Sequence, residues 1–304
     1  MSRMKWTTNN MPSQEGRSFL ITGTGGLGLE AALALCHAGA EVILAGRNQQ
    51  KGEDAVTKIQ LSVPSANVRF EQLDLASFAS IEQFGQRLRS QRGSLDVLIN
   101  NAGVMALPTR QTTVDGYEVQ LATNFLGPFA LTAHLLPLLR RGSNARVVMV
   151  SSLVARNGKI DFSDLQSNNY KSISAYAQSK LADLIFALEF ERQSETNGWD
   201  VSALAAHPGI ASTELITNGP GHRSFFGLLA KIMPFLFQTP AQGALPILFA
   251  ATAKDAVGGD YYGPDGMGGI RGYPVKAPIP ATALDRQTAA RLWDEALNIT
   301  GTKF

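Results

Sequence analysis

The stretch Ser18-Phe19-Leu20-Ile21-Thr22-Gly23-Thr24-Gly25-Gly26-Leu27-Gly28 joins a short apolar run to a cluster of glycines, and a helix-forming segment from Glu30 to Ala38 follows. The apolar run reads as a buried strand and the glycines as a turn. Strand, glycine turn and helix in that order form the setting of a phosphate-binding loop. Glycine lets the backbone approach a pyrophosphate, and the N–H groups and dipole at the helix start favour its charge. Taken alone, the stretch also suits a tight turn with no ligand.

The same alternation continues along the chain. A second strand, Glu41 to Ala45, ends in Gly46-Arg47-Asn48. At this end of a dinucleotide fold an acid would bind the 2′-hydroxyl of NAD, whereas an arginine accommodates the 2′-phosphate of NADP. Arg47 therefore favours NADP(H) over NAD(H), with a solvated surface arginine as the plain alternative. A helix from about Asn48 to Leu61 precedes the strand Val68 to Leu73, which delivers Asp74. Asp74 could accept from an adenine amine, cap the next helix before Ser77, or do both. The fourth strand, Leu95 to Ile99, closes in Asn100-Asn101-Ala102-Gly103, at the strand end where open α/β sheets bind ligands. The helix expected from near Val114 carries the polar Asn124 before the apolar run Phe129 to Leu139, which suggests a helix–helix hydrogen bond or a local break. Strand five, Arg146 to Val150, delivers Ser151-Ser152, and Asp161 to Tyr170 reads as a loop. Strand six, Val201 to Ala206, ends in His207-Pro208-Gly209 with Thr213 shortly after.

Ala175-Tyr176-Ala177-Gln178-Ser179-Lys180 opens a long apolar-periodic helix through Leu181, Leu184, Ile185, Leu188 and Phe190. Tyr176 and Lys180, four apart, share a helix face. A nearby ammonium favours the phenolate and should pull the phenol toward neutrality, where proton transfer works best. By itself such a pair also fits a core aromatic beside a solvated charge.

Six strands alternating with helices predict an α/β fold with a right-handed, doubly wound parallel sheet. Residues 210–253 break the rhythm with the aromatic-rich Phe225 to Phe237 and a helix from Pro240 to Ala253. They read either as a substrate lid after strand six or as an amphipathic helix packed on the sheet or on a partner subunit. Gly258 to Gly272 suggests one short final strand and a turn, and Thr282 to Leu297 a terminal helix.

With 304 residues and 44% hydrophobic content, the chain can bury the core of one α/β domain, read as residues 16–304 behind a flexible polar arm over residues 1–15. A net charge of +2 without a basic block argues against nucleic acid. The arm holds no apolar signal core, so a cytoplasmic protein is expected. Phe225 to Phe237 is too short to span a bilayer, which takes about 20 residues. Cys36, the one cysteine, reads as a packed thiol.

Together these motifs resemble the short-chain dehydrogenase/reductase family over nearly the whole chain. The glycine turn, Asn100-Asn101-Ala102-Gly103, Ser152, Tyr176 with Lys180, and Pro208-Gly209 occur in the family's order. The long stretch from Ser152 to Tyr176, with Gly158-Lys159-Ile160-Asp161-Phe162-Ser163-Asp164-Leu165, is similar to its retinol-dehydrogenase and protochlorophyllide-reductase-like branch. The resemblance implies a single-domain Rossmann-like fold and hydride transfer between a nicotinamide cofactor and an apolar ketone, aldehyde or alcohol. Tyr176 would be the general acid/base, with Lys180 tuning it and holding the nicotinamide ribose. Ser152, rather than Ser151, would bond the reacting oxygen, and Asn124 would anchor the proton-supplying water chain. Gly23, Gly25, Gly26, Leu27, Gly28, Arg47, Asp74, Leu75, Asn101, Ala102, Gly103, Pro208, Gly209 and Thr213 fall on cofactor positions, joined by Tyr176 and Lys180. Reduction of a carbon–carbon double bond and a silent dinucleotide sensor are the competing readings. The family usually spaces the turn as Gly-x-x-x-Gly-x-Gly, one residue longer than Gly23-x-x-Gly26-x-Gly28 here, and Thr24 stands where NADP-dependent relatives often carry a basic residue. Family members commonly pair the helices represented by Asn124 to Leu139 and Ala175 to Ser194, which implies a homodimer or homotetramer.

Overall fold

The computed structural model describes residues 5–211 and 238–304. Among the described residues the strands form one sheet in the order β3-β2-β1-β4-β5-β6-β7-β8. They are β1 (Ser18–Thr22), β2 (Glu41–Gly46), β3 (Asn67–Gln72), β4 (Val97–Asn100), β5 (Ala145–Val150), β6 (Val201–Ala206), β7 (Tyr261–Gly266) and β8 (Arg271–Lys276). The first seven are parallel and β8 returns antiparallel to β7. The order reverses between β1 and β4, and the carboxyl ends of strands at such a point open a ligand crevice.

Both faces of the sheet are covered, so the central strands read as unbroken apolar runs; β1 is buried from end to end. One face packs α1 (Gly26–His37) and α2 (Gln49–Ser62) with a late helix over Pro240–Thr252. The other packs α3 (Phe78–Gln91), α4 (Val119–Leu121), α5 (Gly127–Leu139) and α6 (Ser172–Asn197). We number Pro240–Thr252 as α7, Ala281–Leu284 as α8 and Arg286–Thr300 as α9. Cys36 is packed in the first of these cores, where burial pushes its thiol up to about 11.

Several expectations change. The arm is not loose where it is described: Trp6 packs edge-on against Phe249 with ring centroids 5.3 Å apart, and Gln14 is 1% exposed. Aromatic burial there outweighs the polar composition of the segment. Of the lid read over 210–253, residues 212–237, including the apolar Phe225 to Phe237, lie outside the described residues. The remainder, α7, is a core helix with Ala244, Ile247, Leu248, Ala250 and Ala251 buried against the sheet, not a lid. The helix expected from Val114 starts at Val119, because Glu118 caps it by accepting from Gln120 N and Leu121 N, while Val114 stands 86% exposed.

The helices expected to pair between copies are covered within one chain. α9 and Phe304 lie over α5 and α6: the Phe304 ring sits 5.0 Å from Phe129, 4.6 Å from Trp293 and 5.7 Å from Trp199. α6 is buried along nearly its whole length from Ala175 to Phe190. Phe304 thus joins α5, α9 and Trp199 in one aromatic cluster within the chain. Among the described residues, Val119–Leu139 is long and apolar enough to cross a membrane, yet 83% of its apolar window is buried in the domain.

Candidate active site

The glycine turn sits where β1 meets α1. Gly23 has φ of 92°, a left-handed conformation that glycine adopts without strain, and its N–H donates to Ala45 O. A Cβ on Gly28 would lie 2.4 Å from Gly23 O and 2.7 Å from Asn101 Nδ2, so only a bare backbone fits. A Cβ on Gly25 would meet nothing within 4 Å, which leaves the start of α1 open on that side. α1 begins at Gly26 without a side-chain cap or an acid in its first turn, so its leading N–H groups suit an anion. Leu27 packs toward Gly243 of α7. The shortened spacing thus still builds a cradle of the right chemistry for a pyrophosphate.

Asn101, Ala102 and Gly103 leave β4 beside this turn. Thr22 Oγ1 accepts from Asn101 N and Ala102 N, both at 3.0 Å, while Asn101 Nδ2 donates to Thr22 O at 2.8 Å. This stitch fixes the two strand ends at the crevice. Thr22 was absent from the expected set, and its signal was a hydroxyl ending an otherwise apolar strand.

Arg47 is exposed at the end of β2 and lines a cavity of about 400 Å³ with Glu71, Asp74, Ser80 and Arg87. Arg87 Nε lies 3.3 Å from Glu71 and Arg69 Nε 3.5 Å from it, so the acid at this rim is held by two cations. Asp74 does not cap α3. Ser77 does, accepting from Ser80 N, whereas Asp74 Oδ1 closes its own turn on Ala76 N at 2.9 Å. Leu75 is buried in the core shared by α3 and α5.

The chemistry-bearing side chains meet on α6. Tyr176 is 5% exposed, and the Ser152 side chain beside it acts to lower its phenol. Ser152 follows β5 and opens a short 3₁₀ turn, while Ser151 is buried and donates to Lys180 O at 2.6 Å. Lys180 Nζ donates to Val150 O at 2.9 Å and to Asp183 Oδ2 at 2.8 Å. Asn124 lies in a π-helical turn, Ala122–Leu126, between α4 and α5. Its Oδ1 accepts from Val104 N at 2.8 Å, and its Nδ2 donates to Val104 O and Ser179 Oγ. Both expectations for Asn124 therefore hold at once: it bonds across helices and marks a local break. A Cβ on Gly103 would stand 3.1 Å from Asn124 Oδ1 and 3.5 Å from Lys180 Nζ, which locates the end of β4 against both.

The electrostatics differ from the simple pair. Burial raises Tyr176 above the ordinary phenol value; Lys180 and the Ser152 bond act downward, and Asp183 acts upward. The expected pull toward neutrality is outweighed because the phenol is buried and Lys180 shares its charge with Asp183. Burial lowers Lys180, yet Asp183 and Tyr176 raise it further, so the ammonium form is secured. Pro208 and Gly209 follow β6, with Gly209 at φ of 66° and His207 buried beneath them. Thr213 lies outside the described residues.

An open, mostly parallel sheet with a bare-backbone anion cradle at its switch point and a buried Tyr176–Lys180 pair beside the half-buried Ser152 defines a dinucleotide-dependent oxidoreductase. The profile of the family described as short chain dehydrogenase matches residues 17–220. Retinol dehydrogenase 13 of Mus musculus is 38% identical over 293 residues, covering 94% of this chain and 84% of that protein. Polyprenol dehydrogenase of Mus musculus is 37% identical over 303 residues, 96% and 86% of the two chains. Among solved structures, an uncharacterized protein of Mycobacterium paratuberculosis superposes with a TM-score of 0.82 at 36% identity, covering 99% of each chain. The RhlG/NADP active-site complex of Pseudomonas aeruginosa gives 0.64 at 25% identity, over 82% of this chain and 94% of that one. The chain belongs to the short-chain dehydrogenase/reductase family, in its retinol-dehydrogenase-like branch. It is an oxidoreductase that binds a nicotinamide dinucleotide and interconverts alcohol and carbonyl groups.

Proposed function

We propose that the protein uses NADP(H) in preference to NAD(H) and acts on an apolar ketone, aldehyde or alcohol, with Tyr176 as general acid/base. The observation that carries the catalytic reading is the buried Lys180, four residues after Tyr176 on α6, with its Nζ donating to Val150 O at the end of β5, the strand that leads into Ser152. The glycine cradle, Asn101, Ala102, Gly103, Pro208 and Gly209 are the residues that would hold the dinucleotide, and Thr213 is carried with them by the resemblance. When bound, the reduced nicotinamide supplies the hydride. Ser152 donates to the substrate carbonyl oxygen and orients it. Tyr176 then gives that oxygen its phenolic proton as the carbonyl carbon becomes an alcohol carbon, and in oxidation it takes the proton back. Lys180, held charged, stabilises the phenolate that this leaves. Asn124 fixes the loop at Val104 beside them.

The cofactor preference rests on Arg47, which faces the ribose end of the crevice without a competing acid at the tip of β2. Glu71, the acid across the cavity, is already held by Arg69 and Arg87. The apolar substrate class is supported by relatives named for retinol and polyprenol. The test is a fluorescence titration of wild type and Arg47→Asp with NADPH and NADH. Wild type should bind NADPH more tightly, and the variant should lose about ten- to hundredfold for NADPH alone, the worth of a charge-assisted hydrogen bond. Equal weakening for both cofactors would remove Arg47 from this role.

A further inference from the structure

Asp183 is a buried acid that the mechanism above leaves without a task. It lies three residues beyond Lys180 on α6, is 1% exposed, and places Oδ2 2.8 Å from Lys180 Nζ. Its other oxygen, Oδ1, finds no hydrogen-bond partner among the described residues. A buried carboxylate with one oxygen unpaired is costly and is retained against that cost by its partner cation. The partner is the same ammonium that faces the phenol.

We propose that Asp183 is a positioning residue for the Tyr176–Lys180 pair: its carboxylate holds the Lys180 ammonium at the foot of the site and offsets part of the positive charge that reaches Tyr176. The reading rests on the assignment of Tyr176 as acid/base. Lys180 has three N–H donors, and Val150 O and Asp183 Oδ2 take two in fixed directions. The third is aimed by the other two, which turns a flexible four-carbon stem into a located donor. The carboxylate in contact with the ammonium also raises the phenol, while the ammonium lowers it. Burial first, with this charge added to it, keeps resting Tyr176 in the proton-bearing form that carbonyl reduction needs. From the sheet, Tyr261 of β7 faces the same group, with its hydroxyl donating to Ser152 O at 3.3 Å and its phenol raised by burial. Arg156 acts on Tyr261 and on the neutral His207 behind it.

The test reads Tyr176 directly. Phenolate absorbance is titrated in wild type and Asp183→Asn, each with and without Tyr176→Phe, so that subtraction isolates Tyr176 from the chain's 6 tyrosines. Asp183→Asn keeps the shape and an acceptor oxygen but removes the charge. The Tyr176 midpoint should fall by about one pH unit, a tenfold change in proton concentration, and the pH profile of alcohol oxidation should move with it. Asp183→Ser, smaller and also neutral, should shift the midpoint the same way, and Asp183→Glu should return it toward wild type. A midpoint unmoved in both neutral variants would overturn the proposal. Because the absorbance needs no substrate, failure of the proposed substrate or cofactor preference would leave this result readable, and normal turnover with an unmoved midpoint would sink the Asp183 role alone.

Discussion

Lowering the pH from 7 to 5 should destabilise the fold through His207, a fully buried imidazole in the loop that carries Pro208 and Gly209. Its Nδ1 accepts from Gly209 N at 3.3 Å, and its Nε2 has no partner among the described residues. A Cβ on Gly263 would come within 1.9 Å of Nε2, so that face is sealed by bare backbone and water has no room there. Burial, with Arg156 adding to it, lowers His207 from 6.5 to about 3. The folded state therefore stays neutral where the unfolded chain takes a proton, and stability is lost as pH falls from 6.5 toward 3. At about 1.4 kcal/mol per pH unit, the loss between pH 7 and pH 5 is about 2 kcal/mol. Asp183 titrates with the opposite sign. Burial, only partly offset by Lys180, raises its carboxyl to about 7, so it takes a proton in the folded state first and stabilises on acidification. A wild-type slope alone would mix the two, so the comparison must be with His207→Asn, whose side-chain oxygen can still accept from Gly209 N and does not titrate. Urea midpoints of both proteins at pH 7 and pH 5 give the measurement. The wild type should lose about 2 kcal/mol more than the variant over that interval. Equal losses would mean that His207 is protonated or solvated in the folded protein, and the sealed pocket argued from Gly263 would be wrong.

Tyr176→Phe should retain NADPH binding in a fluorescence titration and lose turnover by about 10²- to 10⁴-fold, since it removes the proton without the cofactor contacts; activity within a few-fold of wild type would overturn the acid/base assignment. Phe304→Ala should cost about 2 kcal/mol in a thermal or urea melt, less than a fully buried phenylalanine because this ring is half-buried. It should also shift Trp199 and Trp293 emission toward that of wetter indoles, and an unchanged spectrum would contradict the stacking described above.

The nucleotide-binding half was legible because its signals are local. A strand, a glycine turn and a helix within about a dozen residues need nothing from the rest of the chain to be recognised. The spacing of Tyr176 and Lys180 was equally local, and the structure carries both on one helix as the period requires. The strand β8 was missed for the opposite reason. It contains Gly272 and Pro274, which speak against a strand by propensity, yet it lies at the sheet edge where proline is tolerated. The terminal helix was read as one and is two, because Asp285 is an N-cap that accepts from Gln287 N and starts α9 afresh. Asp183 escaped notice because an acid three residues after a lysine is the ordinary signature of a solvated helix face. Only the fold shows that this face is buried, and burial turns a commonplace spacing into an ion pair at the foot of the site.

The long helix α6 joins these points. It carries Tyr176 and Lys180 near its first turns and, about three turns later, enters an aromatic cluster of Phe186, Phe190, Trp199, Trp293 and Phe304. The rings of Phe186 and Trp293 are stacked at 5.8 Å, and those of Trp199 and Phe304 at 5.7 Å. A catalytic phenol must be held to within a fraction of an ångström of its reacting oxygen, and a helix fixed along its length does this better than a loop. Trp293 and Phe304, which pack on the far end of α6, belong to the same chain, so this part of the packing forms on folding. The buried charges of Lys180 and Asp183 then sit on a scaffold that cannot easily rotate to let water in, which is the condition under which their interaction with the phenol is strong.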